Sequence, residues 1–323
     1  MKILAVDDDP DFLALFEFNA LFESTLTRLG YANVTFVTSG AEALELLSNT
    51  QVPFDCFILD IQMPEMNGIE LCEEIRAIPE YEETPIVMNT ILADRAHIDQ
   101  AFAAGATDYL TKPIDEIEIN TRLGVLHTLV RERLRTQHAI THGGADVFAT
   151  PSYRFADQIP MRRVAGTIEY LALENYLKTL GVFRALSTKA VGFHVLNGQQ
   201  LFDEAGPSIF SEVMIDVATC ISDCLKTSSR MISYAGKGDF VCLLSRVEAL
   251  DAFELGDTLR ISIAEFGHIY DELNIHLPMV SVGPAVGCKA LHMAAPTRIL
   301  DEAILNARSA ARHFTGFSQS MDR

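Results

Sequence analysis

The stretch Lys2-Ile3-Leu4-Ala5-Val6-Asp7-Asp8-Asp9 decides the fold, because a short apolar run ends there in three acidic residues. Three later runs have the same form: Cys56-Phe57-Ile58-Leu59-Asp60, Pro85-Ile86-Val87-Met88-Asn89-Thr90 and Tyr109-Leu110-Thr111-Lys112-Pro113. Short runs without polar alternation are typical of parallel strands that are buried on both faces. The sequence therefore predicts an α/β sheet whose strands end in polar residues.

These polar residues are expected to lie together, because ligands bind at the carboxyl ends of strands in an open parallel sheet. The set is Asp7, Asp8, Asp60, Thr90 and Lys112. Clustered carboxylates repel one another unless a cation lies among them, and Mg²⁺ prefers oxygen ligands. A lysine and a hydroxyl group beside that cation would hold a small anion such as a phosphoryl group. Any one of these residues alone would indicate only a turn or a helix cap.

Strands and helices alternate through the first half, which predicts a doubly wound α/β unit with a five-stranded parallel sheet. The predicted strands are 2–6, 33–37, 54–59, 86–88 and 108–110, and the predicted helices are 12–29, 41–47, 68–77, 95–104 and one from about 115 through 134. The last helix carries an apolar stripe, Leu123, Leu126, Val130 and Leu134, that either pairs with a second subunit or covers the sheet edge.

The ordered motifs of the first half resemble the receiver domain of two-component response regulators, which has a flavodoxin-like fold. They are Val6-Asp7-Asp8, the segment from Leu59 to Gly68, Thr90, and Gly105-Ala106 with Lys112-Pro113. The resemblance covers about residues 1–124. It departs from the family at Ile91, where the family usually has a small residue that lines access to the phosphate.

The resemblance implies a role for each residue of the site. Asp60 is the expected phosphorylation site, with a histidine kinase or phosphotransfer protein as donor. The implied Mg²⁺ ligands are Asp7, Asp8, Asp60 and the backbone carbonyl of Gln62, and the implied switch and phosphate-binding residues are Thr90, Tyr109 and Lys112. The Lys112–Pro113 bond is expected to be cis, a geometry that only X–Pro bonds adopt at low cost.

Composition limits the class of protein. A length of 323 residues with 49% hydrophobic residues suggests two domains, each with its own core. Residues 1–150 hold 9 basic and 25 acidic residues, and residues 151–323 hold 16 and 19, so neither half offers the basic face that nucleic acid requires. The six cysteines form no metal-like cluster and no apolar stretch is long enough for a membrane span. We expect a cytoplasmic protein without membrane insertion.

A change of character follows the first domain. Residues 125–165 are expected to continue the last helix and then form a linker, in which His138 and His142 are loop residues. Residues 166–323 show the order α-β-α-ββ-α-β-α, an α+β pattern. The hairpin Gly236-Lys237-Gly238-Asp239-Phe240 resembles the GGDEF turn of nucleotide cyclases that make cyclic di-GMP, and the resemblance covers about residues 166–317.

The second half departs from that family where its chemistry lies. Gly238 stands where the family has a metal-binding carboxylate, and His194 and Phe202 stand at the matched aspartate and guanine-reading asparagine. Phosphoryl transfer with two metals needs acidic ligands, so we expect a degenerate GGDEF-like domain that is not an enzyme and that dimerises or binds a downstream protein. Two alternatives stay open: a cyclase that uses Asp203, Glu204 and Asp239, and a sensor of GTP or cyclic di-GMP. The turn Gly236, Lys237, Gly238 and Asp239 would either cradle a phosphate or form a plain hairpin.

Overall fold

A computed structural model describes residues 1–8, 33–91, 94–113, 116–142, 153–161, 163–225, 230–245, 250–288 and 295–321. The chain divides into two compact units, Met1–Val147 and Phe148–Arg323. The helix predicted at 12–29 lies outside the described residues. The domain boundaries inferred at 124 and 165 stay predictions.

A five-stranded parallel sheet forms the centre of the first unit, as predicted. Its strands are β1 (Lys2–Val6), β2 (Asn33–Val37), β3 (Cys56–Leu59), β4 (Ile86–Thr90) and β5 (Asp108–Thr111), in the order β2-β1-β3-β4-β5. Strands β3 and β4 are buried along their full length, because they lie inside the sheet; β3 is entirely apolar and β4 is apolar up to Asn89. The order places β1 beside β3, so the acidic residues that follow these strands become neighbours.

The described helices of this unit are α1 (Gly40–Asn49), α2 (Gly68–Ala77), α3 (Arg95–Ala103) and α4 (Glu116–His142). Ser39, Asn67 and Asp94 cap the first three through side-chain oxygens that accept from backbone N–H groups. At Asn67 the cap is reciprocal, since Glu70 accepts from the Asn67 backbone. This capping box fixes the start of α2 directly after the loop that follows Asp60.

Helix α4 continues to His142, so His138 and His142 lie in a helix and not in the predicted linker. Its apolar stripe packs inside the chain: Leu123, Leu126 and Val130 are buried. The stripe therefore covers the protein's own core, which was one of the two predicted roles. The side chain of Leu134 lies outside the described residues.

An antiparallel sheet forms the centre of the second unit. Its strands are β6 (Thr188–Val195), β7 (Arg230–Gly236), β8 (Asp239–Ser245), β9 (Val280–Val282) and β10 (Val286–Gly287). The order is β10-β6-β8-β7, and β9 also pairs with β6. A single strand was predicted at 279–286; it is two short strands that both pair with β6, because the register shifts by one residue between them near Gly283, whose N–H donates to the Gly192 carbonyl.

The helices of the second unit are α5 (Tyr170–Ala185), α6 (Gly198–Cys224), α7 (Ala252–Ala264), α8 (Gly267–Glu272) and α9 (Arg298–Met321). Helix α6 is two helices joined at a kink at Gly206, where φ is 74° and Pro207 follows. Helix α9 lies close against β6, since a Cβ atom at Gly192 would overlap the carbonyl oxygen of Ala303. In the part of the chain described here, no helix is both long and apolar enough to cross a bilayer.

Candidate functional site

Four strands deliver the polar residues of the first unit to one edge of the sheet. Asp7 and Asp8 follow β1, Asp60 follows β3, Thr90 ends β4, and Lys112 follows β5. Backbone hydrogen bonds between neighbouring strands fix the register of these residues. The Asp60 N–H donates to the Val6 carbonyl over 2.9 Å, and the Lys112 N–H donates to the Thr90 carbonyl over 2.9 Å. The predicted convergence of these residues follows directly from the strand order.

Asp7, Asp8 and Asp60 form an acidic cluster. One carboxylate oxygen from each lies within 4.8 Å of the others, and among the described residues this is the one group of three that is suited to a metal ion. Asp7 and Asp60 are only 5% and 7% exposed, so water screens their repulsion poorly. An all-oxygen set at these spacings fits a small hard cation such as Mg²⁺.

Lys112 binds both buried carboxylates. Its Nζ donates to Oδ2 of Asp7 over 2.6 Å and to Oδ2 of Asp60 over 2.8 Å. Burial by itself would lower the pKa of the Lys112 ammonium, but the hydrogen bonds to Asp60 and Asp7 outweigh it and the pKa is raised. The lysine is therefore a permanent cation at the carboxylates that it contacts. The Lys112–Pro113 bond that follows is cis, as predicted.

The loop after Asp60 is held tightly against it. The backbone N–H of Gln62 donates to Oδ1 of Asp60 over 3.2 Å, and the Gly68 N–H donates to the Ile61 carbonyl. A Cβ atom at Gly68 would overlap the backbone carbonyl of Asp60, which explains the glycine at the start of α2. The role inferred for the Gln62 carbonyl stays a prediction.

The two residues inferred to be switches are both buried. Thr90 is fully covered at the end of β4, and Tyr109 is buried on β5. Burial raises the pKa of the Tyr109 hydroxyl, and the negative charges of Asp94 and Asp60 raise it further, so the hydroxyl stays protonated. Next to Thr90 the side chain of Ile91 is 66% exposed. It is therefore exposed to solvent and not part of the core.

Asn89 is a buried polar residue whose role the sequence did not assign. Its Oδ1 has no hydrogen-bond partner within the described part of the chain, although the side chain is buried in β4. The signal was present in the sequence, where a carboxamide interrupts an otherwise apolar strand directly before Thr90. A buried polar atom without a partner destabilises the strand that carries it.

In the second unit, the predicted nucleotide-binding turn is a tight hairpin. Gly236, Lys237 and Gly238 all have positive φ, which explains two glycines in three residues. The Lys237 N–H donates to the Phe155 carbonyl over 2.9 Å, and the Gly238 N–H donates to the Tyr234 hydroxyl over 3.0 Å. Both amides already have acceptors inside the protein, which favours the plain hairpin over a phosphate cradle.

Asp239 is neutralised by protein side chains. It is buried; its Oδ1 lies 2.8 Å from Nδ1 of His194 and 3.0 Å from Nε of Arg308, and its Oδ2 binds Nη2 of Arg308. Burial would raise the pKa of Asp239, but the hydrogen bonds from His194 and Arg308 outweigh it and the pKa is lowered. The sequence did not identify Arg308, because this partner comes 69 positions later and on a helix.

The three acids proposed for an atypical cyclase are not brought together as a metal site among the described residues. Asp203 accepts from Gln199 on its own helix, and Glu204 binds His276. Phe202, at the position matched to the guanine-reading residue, packs on Phe155 and Phe210 with ring centroids 5.9 and 5.2 Å apart. These contacts, with those of Asp239 above, support a structural role for Phe202, Asp203, Glu204 and Asp239.

The first unit is similar to known proteins. Residues 3–124 match the response regulator receiver domain family. A chemotaxis protein CheY homolog of Campylobacter jejuni is 38% identical over 113 residues, which cover 35% of this chain and 82% of that protein. The signal transduction histidine-protein kinase BarA of Escherichia coli is 37% identical over 123 residues, and this chain spans only 12% of its length. The crystallised chemotaxis protein CheY4 of Vibrio cholerae is 31% identical, with a TM-score of 0.34, over 39% of this chain and 97% of that one.

Proposed function

We propose, from the premise that this chain belongs through residues 3–124 to the response regulator receiver domain family, that Asp60 accepts a phosphoryl group from a histidine kinase or phosphotransfer protein. The observation that carries the proposal is the contact of Lys112 Nζ with both Asp60 and Asp7, beside the carboxylate of Asp8. A buried carboxylate between a lysine and two further acids is suited to a phosphoryl group and its counter-ions.

The reaction joins an oxygen of the Asp60 carboxylate to phosphorus, and the bond from phosphorus to the donor breaks with its electrons on the donor. Lys112, which binds both Asp7 and Asp60, neutralises charge on the transferred group. Asp7, Asp8 and Asp60 would hold Mg²⁺, which when bound supplies positive charge to the phosphoryl oxygens. The cluster itself supports this role, since its oxygens are close enough to share one ion.

The signal is a shift between two states of the first unit. Phosphorylation adds negative charge next to Lys112, and the hydroxyl of Thr90 at the end of β4 then moves toward it. Tyr109, buried on the neighbouring strand, is the side chain whose position then changes. Helix α4 follows β5 and carries the change out of the unit.

The second unit is proposed to be a degenerate GGDEF-like output domain that acts by dimerising or by binding a downstream protein. Its support is the ion pair of Asp239 with Arg308, together with the internal acceptors of the Lys237 and Gly238 amides. Asp239 is paired with a cation of the chain, so it is not a free ligand for the metal that an atypical cyclase would need. For a dimer through the first unit, α4 offers Ile117 and Val125 as exposed apolar residues.

The test is phosphorylation of the purified chain with acetyl phosphate and Mg²⁺. Wild-type protein is expected to gain one acid-labile phosphoryl group by intact mass, and Asp60→Asn is expected to gain none. Asp55→Asn is the matched control, because Asp55 lies at the opposite end of β3 and binds the Lys2 backbone. Equal labelling of wild type and Asp60→Asn would exclude Asp60 as the acceptor.

A further inference from the structure

Asn89 lies on the same face of the first sheet as the acidic site. The residue two positions before it in β4 pairs with Ile58 in β3, and Asp60 comes two positions after Ile58. On the other side Asn89 pairs with Leu110 in β5, and Lys112 comes two positions after Leu110. Residues two apart in a strand project from the same face of the sheet. The carboxamide of Asn89 therefore belongs to the row of side chains that contains Asp60 and Lys112.

The side chain of Lys112 crosses β4 to reach its carboxylates. The lysine follows β5, whereas Asp60 follows β3 and Asp7 follows β1, and β4 lies between β5 and β3. Its Nζ nevertheless contacts Asp7 over 2.6 Å and Asp60 over 2.8 Å. Adjacent strands are about 4.8 Å apart, so the lysine stem spans the width of β4 on the face that carries Asn89.

The carboxamide of Asn89 is buried beside this stem with an unsatisfied acceptor. The residue is 2% exposed, and its Oδ1 accepts no hydrogen bond within the described part of the chain. Buried polar atoms nearly always have a partner, because an acceptor that loses water without gaining a donor destabilises the fold. An acceptor that is kept at this cost next to the site indicates a donor that reaches it in another state of the site.

A metal ion in the acidic cluster would bring that donor to Asn89. An ion shared by Asp7, Asp8 and Asp60 lies among the residues that follow β1 and β3, whereas the ammonium of Lys112 arrives from β5. The two cations repel each other and compete for the same carboxylates. The ammonium is therefore pushed back along its own stem toward β5. That path leads over β4, where Oδ1 of Asn89 lies.

We propose that Asn89 is a positioning residue for Lys112, and that its Oδ1 accepts a hydrogen bond from the ammonium when a divalent cation occupies the acidic cluster. Because Oδ1 has no partner in the structure described here, the bond forms only with the metal and favours metal binding. It also keeps a positive charge close to Asp60 for the incoming phosphoryl group. The role of Asn89 deepens the proposed function and rests on its metal site, but not on transfer of the phosphoryl group.

A double-mutant cycle on Mg²⁺ affinity tests this role in the full chain. Asn89→Leu keeps the approximate volume of the side chain and removes the acceptor. It is expected to weaken Mg²⁺ binding in calorimetry about tenfold, because a hydrogen bond to a charged group is lost in the metal-bound state alone. In the Lys112→Met background the same change should leave the Mg²⁺ affinity as it is, since there is no ammonium to hold.

The stability of the metal-free chain separates this role from a merely structural one. Asn89→Leu should raise the urea midpoint of the first unit, because it removes a buried acceptor that has no partner. Tyr81→Phe is the matched control: the Tyr81 hydroxyl is also buried without a partner, but its ring packs on Phe57 near the start of β3. This control should raise the midpoint as well and leave the Mg²⁺ affinity unchanged.

Each other result overturns the role or supports it. An unchanged Mg²⁺ affinity in Asn89→Leu, an equal loss in both backgrounds, a lower urea midpoint for Asn89→Leu, or no Mg²⁺ binding by wild type overturns it. The expected coupling to Lys112 without a mass gain from acetyl phosphate supports the role of Asn89 and counts against phosphorylation of Asp60. A mass gain without the coupling leaves the proposed function in place and removes the role of Asn89.

Discussion

Lys112 lies between Asp7 and Asp60, 2.6 Å from a carboxylate oxygen of the first and 2.8 Å from one of the second. The two aspartates follow the adjacent strands β1 and β3, and the lysine follows β5, the last strand of the sheet. A single ammonium group therefore neutralises two buried carboxylates at once. The same group competes with any metal ion for their oxygens.

Replacing Lys112 by methionine is expected to separate these two effects. Transfer of phosphoryl from acetyl phosphate to Asp60 should slow about a hundredfold, because a cation that faces the transferred group is lost. Mg²⁺ should bind more tightly, because Asp7 and Asp60 no longer share a lysine. Phosphorylation rates by intact mass and Mg²⁺ titrations by calorimetry measure both quantities.

Lys178→Met is the control for that experiment, since Lys178 is exposed on α5 in the second unit. It should change neither the rate nor the Mg²⁺ affinity. A Lys112→Met protein with the wild-type rate of labelling would contradict the role given to the lysine.

Ile91 is expected to slow the exchange of phosphoryl groups at Asp60. Its exposed branched side chain directly follows Thr90, where the receiver family usually has a small residue. Ile91→Ala should therefore raise the rate of labelling by acetyl phosphate and the rate of loss of the phosphoryl group, each several-fold. Val52→Ala is the matched control, because Val52 is similarly exposed, at 64%, in the same unit. If both rates stay at wild-type values, access is not limited by this side chain.

The sheet of the first unit was predictable because its inner strands are buried on both faces and end in polar residues. Asp7, Asp60 and Lys112 meet as expected, since β1, β3 and β5 place their carboxyl ends at one edge. The end of α4 was not predicted, because no apolar residue after Leu134 continues the stripe. A helix can extend into polar sequence without leaving a periodic signal.

In the second unit, the sequence predicted that acids of a cyclase site are missing, but it did not predict the partner of Asp239. Arg308 could not be paired with Asp239 from sequence, because the contact depends on how closely α9 packs on β6. Residues 153–157 were interpreted as linker because prolines and glycines surround them. Only the structure places Phe155 against Phe202 and Phe210. Long-range contacts of this kind leave no local pattern.

Replacing Gly192 by alanine tests the packing of α9, and the same change at Gly124 in α4 is the contrasting case. At Gly192 a Cβ atom would overlap the backbone of Ala303, and neither backbone can give way easily. Gly192→Ala is therefore expected to lower the free energy of unfolding of the second unit by about 3 kcal/mol. A Cβ atom at Gly124, inside α4, would meet open space, so Gly124→Ala should raise stability by about 0.5–1 kcal/mol. Urea unfolding followed by circular dichroism measures both, and a Gly192→Ala protein as stable as wild type would refute the packing.

The ion pair of Arg308 with Asp239 should stabilise the second unit in a pH-dependent way. The pKa of Asp239 is lowered in the fold, so its contribution is present above the unfolded pKa and is lost as the pH falls through the folded one. Arg308→Met should cost about 1–2 kcal/mol at pH 7, a moderate value because the arginine is 45% exposed and His194 remains as a partner. The difference from wild type should shrink in acid.

Arg260→Met is the control for this ion pair, because Arg260 binds Asp257 on the exposed face of α7. It should change the free energy of unfolding by less than about 0.5 kcal/mol at any pH. A loss for Arg308→Met that is independent of pH would mean that packing of the arginine, and not its charge, stabilises α9.

Incubation of the chain with GTP and either Mg²⁺ or Mn²⁺ is expected to give no cyclic di-GMP. Asp239 already binds His194 and Arg308. Asp203 binds Gln199, and Glu204 binds His276. The described residues of the second unit therefore offer no set of free acidic oxygens that could hold two metals. The matched variant is Arg308→Met, which frees one side of Asp239 but adds no second carboxylate and should stay inactive. Turnover by wild type that disappears in Asp239→Asn would instead establish an atypical cyclase, and binding of GTP without turnover in calorimetry would establish a sensor.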